Sequence, residues 1–108
     1  MSEFVTSLRT RPVAVRLVGD HVMSVWTVRV QCAEAWDAVR VEIVAESRVR
    51  DVKQAAMAQL MPDVDDIDGY VVKLRGCEVT NENLSVQAVG AMDGSTFLVM
   101  SRRRRAVR

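Results

Sequence analysis

The stretch Leu84-Ser-Val-Gln-Ala-Val-Gly90-Ala-Met-Asp93-Gly94-Ser-Thr-Phe97-Leu-Val-Met-Ser101, followed by Arg102-Arg-Arg-Arg105, decides the fold. A turn-rich segment with glycines at 90 and 94 runs through Asp93-Gly94, a strong turn signal, into a hydrophobic strand over Phe97–Ser101. A basic tail follows. A closing strand of this kind needs partners, and the preceding sequence supplies them in a fixed order.

From Met23 to Cys32 apolar and polar residues alternate. Trp26, Val28, Val30 and Cys32 share one face, and Val25, Thr27, Arg29 and Gln31 the other, which is the pattern of a half-buried strand. Ala33–Trp36 makes a short connection, and from Asp37 a second alternation places Val39, Val41 and Ile43 opposite Arg40 and Glu42. Strands this close in sequence form a hairpin. The period then changes. Ser47 stands where a helix N-cap is expected, Val49, Val52, Ala56 and Leu60 fall at helical spacing, and Pro62 closes the segment. Alanines on this helix let it lie close to a sheet. The aspartate-rich connection 63–69 leads to a strand over Tyr70–Leu74, a tight turn at Arg75-Gly76 and a very short strand near Val79. Leu84 is the expected buried anchor of the irregular segment that follows. Upstream of all this, Pro12–Val18 alternates enough to be a further strand, whereas 2–11 has no sustained period.

Composition fits this order. At 108 residues the chain has room for one modest core. Apolar residues make up 49% but aromatics only 5%, so the core must be built largely from the β-branched valines, which favour strands. The formal charge of +1 hides an asymmetry. Residues 22–101 carry seven cations and twelve acids, and residues 102–108 carry five arginines. Such a tail can be drawn to an acidic protein, an anionic membrane or nucleic acid, or can simply be a solvated end. No interleaved aromatics favour base stacking. No apolar run of membrane-spanning length and no secretion signal is present, so the expected location is cytoplasmic.

Catalytic and cofactor chemistry finds little support. His21 is the only histidine and has no partner group nearby, which makes it an ordinary loop residue. Asp63, Asp65, Asp66 and Asp68 before Gly69 suggest a calcium loop, but the register puts Val64 at the first ligand position and Arg75 at the twelfth. Cys32 and Cys77 lie far apart with no C-x-x-C pattern and read as buried or idle thiols. The glycines form neither a phosphate loop nor a dinucleotide fingerprint. No enzyme activity, no metal and no cofactor is expected.

The order strand, strand, helix, strand, short strand, strand resembles the ubiquitin superfamily over about 80 residues, Met23 to Arg102. The residues that carry the resemblance are Val41-Glu-Ile43, Ser47-Arg-Val49-Arg-Asp-Val52-Lys53, Val72-Lys-Leu74-Arg-Gly76-Cys-Glu-Val79, Leu84, Gly90 and Asp93-Gly-Ser-Thr-Phe-Leu-Val99. Within the superfamily the chain looks most like the bacterial YukD type, small ubiquitin-like proteins associated with type VII secretion and akin to the N-terminal domain of the EccD membrane component. The resemblance implies an α+β, ubiquitin-like β-grasp fold: a mixed sheet of four to five strands packed on one helix, over 22–102. An extension over 1–21 precedes it and a basic tail over 103–108 follows.

It also implies function. The expected role is a non-enzymatic protein–protein interaction module, an adaptor of a bacterial type VII secretion system whose partner is a secretion component. The alternative is a covalent modifier of a bacterial ubiquitination-like pathway with an atypical C-terminus. In the family's main docking patch an exposed isoleucine matches Lys73 here, and its partner on the last strand matches Met100. Arg105 and Ala106 stand where the reactive glycines belong, and their side chains would block a narrow activating-enzyme channel. The expected partner-binding residues are Lys73, Arg75 and Met100 on the sheet, Trp36 in the hairpin connection, and Arg102, Arg103, Arg104 and Arg105 in the tail. The N-terminal strand offers a further contact, pairing with its own sheet or with a second copy to give a homo-oligomer.

Overall fold

A computed structural model describes residues 13–18 and 24–102. Among these residues six strands form one mixed sheet, and a single α-helix covers one face. The strands are β1 (Val13–Arg16), β2 (Trp26–Cys32), β3 (Asp37–Ile43), β4 (Tyr70–Leu74), β5 (Cys77–Val79) and β6 (Thr96–Ser101), and the helix α1 is Val49–Leu60. In space the order is β1-β3-β2-β6-β4-β5. Five strands make the grasp, and β1 adds a sixth by pairing parallel to β3, with Val15 opposite Val41 and Arg16 opposite Glu42. The arrangement is the ubiquitin-like β-grasp.

The hairpin follows from the alternation. β2 and β3 pair antiparallel from Trp26↔Ile43 to Cys32↔Asp37. Val28, Val30 and Cys32 of β2, with Val39, Val41 and Ile43 of β3, are buried beneath α1. Arg29, Gln31, Arg40 and Glu42 point to the open face, because successive side chains of a strand alternate. β6 enters the middle, parallel to β2 (Val30↔Phe97, Cys32↔Val99) and antiparallel to β4 (Val72↔Val99, Leu74↔Phe97). Phe97 and Val99 thereby join the valine core at 1% exposure or less. Gly94 holds φ +91° at the turn into β6, and the Asp93 carboxylate accepts the Thr27 N–H at 2.7 Å, which fixes that turn to the start of β2.

Three local expectations need correction. Ser47 is not the helix cap. Arg48 occupies the N-cap position without a side-chain capping bond, and the Ser47 hydroxyl instead accepts the Val44 N–H at 3.1 Å. The first helical N–H groups find distant backbone, with Val49 N–H donating to the Leu84 carbonyl at 3.0 Å and Arg50 N–H to the Glu82 carbonyl at 2.8 Å. The orphan donors of a helix start are thus satisfied by the irregular segment 82–84. Leu84 is the second correction. Its side chain is 43% exposed, and Val86, fully buried, is the anchor instead. The third is the buried face of α1, which comprises Val49, Val52, Lys53, Ala56 and Met57, while Leu60 is only half-buried.

Lys53 is the one charged side chain among the described residues that are buried, at 2% exposure. Its ammonium donates to the Tyr70 carbonyl at 2.9 Å and lies 2.7 Å from Glu82 Oε1. A buried ammonium is tolerable only when paired and hydrogen-bonded, and here it is both. The pair ties α1 to the start of β4 and to the segment that covers the helix N-terminus.

Candidate functional site

The face of the sheet opposite α1 carries Lys73 and Met100 of the expected binding residues, and strand register decides what they meet. Alternation along β4 puts Val72 and Leu74 into the core and turns Val71 and Lys73 outward. Along β6 it turns Leu98 and Met100 outward. Register pairs Val71 with Met100 and Lys73 with Leu98, and Glu78 of β5 lies opposite Lys73. Val71, Lys73, Glu78, Met100, Ser101 and Arg102 line a small pocket of about 70 Å³ at this place. Lys73, Met100 and Arg102 are therefore gathered at one spot. Val71, Glu78 and Ser101 join them, and the alternation around Lys73 was the signal that could have found Val71.

Arg102 anchors the base of the tail. Its guanidinium donates to the Asp68 carbonyl at 3.2 Å and lies 3.9 Å from Glu78 Oε2. Asp68 in turn accepts Arg50 Nη1 at 2.7 Å, and that bond holds its carboxyl below the ordinary carboxylate value while raising the Arg50 guanidinium. One residue earlier, the Ser101 N–H points between the two carboxylate oxygens of Glu34, 3.2 Å from each. Glu34 belongs to a short 3-10 helix, Ala33–Ala35, in the β2–β3 connection. This contact puts that connection beside the end of β6. Arg103, Arg104 and Arg105 lie outside the described residues.

Trp36 follows the 3-10 helix and is the most conspicuous side chain of this end of the sheet. It is 93% exposed, and its backbone sits in the left-handed region at φ 54°, ψ 36°. Bulky residues rarely adopt that conformation, which glycine or asparagine accepts readily. Arg75 lies elsewhere. β4 ends at Leu74, and Arg75 takes φ 53° in the β4–β5 turn, where its guanidinium donates to the Gly90 carbonyl at 3.0 Å. Since Leu74 pairs with Phe97, this turn is at the opposite end of β6 from Met100 and Ser101.

The two thiols differ. Cys32 is fully buried, and desolvation, helped by the nearby carboxylates of Glu34 and Asp37, pushes its pKa up to about 12. It stays protonated and shielded at neutral pH. Cys77, on edge strand β5, is exposed. Iodoacetamide at pH 8 should therefore add one equivalent to the native protein, at Cys77, and reach Cys32 only in denaturant. Mass spectrometry of peptides reads this directly, and rapid native labelling of Cys32 would contradict the buried assignment. Among the described residues no three histidine, cysteine, aspartate or glutamate side chains converge to hold a metal ion. No described helix is long and apolar enough to cross a membrane.

No family model matches the sequence, and no curated protein matches it. Solved structures do. A ubiquitin-like protein from Trypanosoma brucei superposes with TM-score 0.59 at 25% identity, covering 75% of this chain and 99% of its own. The ubiquitin of Caldiarchaeum subterraneum gives TM-score 0.61 at 16% identity, over 73% of this chain and 95% of its own. The C-terminal ubiquitin-like domain of mouse tubulin-specific chaperone e gives 0.62 at 15% identity, over 77% and 94%.

Proposed function

We propose that this chain is a non-enzymatic protein-interaction module that seizes its partner with the Trp36 end of the open sheet face. One observation carries the reading: Trp36 is almost wholly in water and held in a backbone conformation unfavourable to it. An exposed indole gains nothing from the fold, and left-handed backbone costs about 1–2 kcal/mol for a residue with a Cβ. A tryptophan kept there acts on something outside the molecule, and tryptophan is among the commonest hot-spot residues of interfaces. The neighbouring pocket, lined by Val71, Lys73, Glu78, Met100, Ser101 and Arg102, sets apolar side chains beside charges of both signs. The finer reading makes the module an adaptor of a bacterial secretion assembly. It is supported by the resemblance of 22–102 to the YukD type.

Replacing Trp36 with glycine separates binding from folding. The variant should be at least as stable as the parent, gaining up to about 1 kcal/mol from relief of the left-handed strain. Partner affinity should fall by about 2 kcal/mol, or roughly thirtyfold. Affinity purification from the native host, with parent and variant side by side, reads the second effect, and urea unfolding reads the first. Under the adaptor reading the parent brings down a defined complex containing secretion components. A partner retained equally by the glycine variant would overturn the role given to Trp36.

A further inference from the structure

The open face holds a second feature, which runs from β3 across the sheet to Lys73 at the pocket. Arg29 of β2 and Arg40 of β3 are direct register partners on adjacent antiparallel strands, and both project to the face opposite α1. Like charges set directly opposite across a sheet destabilise it. Neither guanidinium meets a carboxylate within ion-pair distance among the described residues. Glu42, the nearest acid on these strands, is engaged by Arg16 across the β1–β3 pairing. Thr96 of β6 is the next partner in the same row, beside Arg29, and is exposed. One row along the strands lie exposed Gln31, half-buried Leu98 and Lys73, whose opposite number Glu78 turns to Arg102.

From these positions we infer that the β3-β2-β6-β4 face binds an extended acidic peptide segment, with Arg40, Arg29 and Lys73 as its carboxylate receptors. The inference rests on the interaction reading above and names its partner's chemistry. Strands lie about 4.8 Å apart, so the three cations span about 15 Å across the sheet. That is the reach of about five extended residues. Guanidinium forks bind carboxylates in paired, charge-assisted hydrogen bonds, so an acidic segment would turn a repulsion in the free protein into attraction on binding. Nucleic acid is less well matched, because no described aromatic side chain lies on these rows to stack bases.

The test uses the full chain with two fluorescent probes at low salt, a ten-residue peptide alternating glutamate with serine and leucine, and a ten-nucleotide oligothymidylate. The peptide should bind, weaken as salt is raised, and lose about tenfold or more in affinity when Arg29→Gln and Arg40→Gln are combined. Because that variant keeps its arginine tail, unchanged peptide affinity would assign binding to the tail and overturn the proposal. Oligothymidylate binding as tightly as the peptide, with the same loss in the variant, would overturn it in favour of nucleic acid. Arg40→Glu supplies the folding control. It replaces the like-charge pair with an opposite-charge one, so its melting temperature should rise while peptide binding is lost. A fall in melting temperature would show that Arg40 is already engaged within the fold, against the proposal. The broader reading is judged separately, by whether the host complex depends on Trp36. A complex lost with Trp36→Gly but indifferent to Arg40→Glu and to salt removes this inference alone.

Discussion

Lys53→Ala should destabilise the protein by about 3 kcal/mol, the lower end of what breaking a buried ion pair costs. The alanine variant removes the donor to the Tyr70 carbonyl and leaves Glu82, whose side chain is only 14% exposed, without its 2.7 Å partner. Because domains of this size are held by only about 5–15 kcal/mol, the loss is a large fraction of the whole. The melting temperature should fall by roughly 10–20 °C. Lys53→Met combined with Glu82→Gln should recover much of the loss, since a helix face that already buries Val52, Ala56 and Met57 accepts an unbranched apolar chain. Urea unfolding of Lys53→Met, Glu82→Gln and their combination gives the coupling energy. If Lys53→Ala loses less than about 1 kcal/mol, the pair is not buried in the sense described.

Phe97→Ala is expected to cost about 3–5 kcal/mol. Phe97 is the only aromatic side chain among the fully buried residues described, and it stands on the central strand, between Val30 of β2 and Leu74 of β4. Valines have short, stiff side chains and cannot swing into the space a benzyl group leaves. The cavity should persist, which keeps the cost near the upper part of the range. Phe97→Leu retains most of the volume and should cost markedly less, about 1–2 kcal/mol. Equal losses for the two substitutions would show that the core around β6 relaxes more freely than a packed valine layer should.

Much of the fold was legible because two clean periods adjoin. The alternation of 26–32 and 37–43 gave the hairpin, the helical spacing after Ser47 gave α1, and Asp93-Gly94 gave the entry to β6. What sequence could not show was where long-range partners take over local roles. Ser47 has the chemistry of a cap, yet its hydroxyl serves Val44, because carbonyls over thirty residues away reach the helix start first. Leu84 looked like an anchor by hydrophobicity, but it contributes its carbonyl there and Val86 its side chain. Lys53 could have been found. It lies four residues after Val49 and three before Ala56, on the same helical stripe, and only its charge argued for solvent.

The site was legible in the same partial way. Lys73 and Met100 follow from alternation along their strands, but that Met100 faces Val71 rather than Lys73 needs the register of β4 on β6. Arg75 continues the outward alternation of Val71 and Lys73 on paper. In the folded chain the strand stops one residue earlier, and a left-handed turn carries Arg75 to Gly90. Arg29 and Arg40 each looked like an ordinary solvated strand residue, and only the hairpin register set them opposite one another.

The place of β6 in the middle of the sheet has a consequence for synthesis. Its neighbours are β2, made some seventy residues before it, and β4, so the sheet's two largest contacts beyond the hairpin wait for residues 96–101. A nascent chain that has reached Met92 holds the β2–β3 hairpin with its helix and the β4–β5 hairpin, but lacks the strand that joins them. Loop closure over such a separation must precede any reward from pairing, which favours slow folding and leaves the incomplete chain exposed to misassociation. The strand whose sequence announces the fold is the last of the sheet to be synthesised, and until it emerges there is no fold to announce.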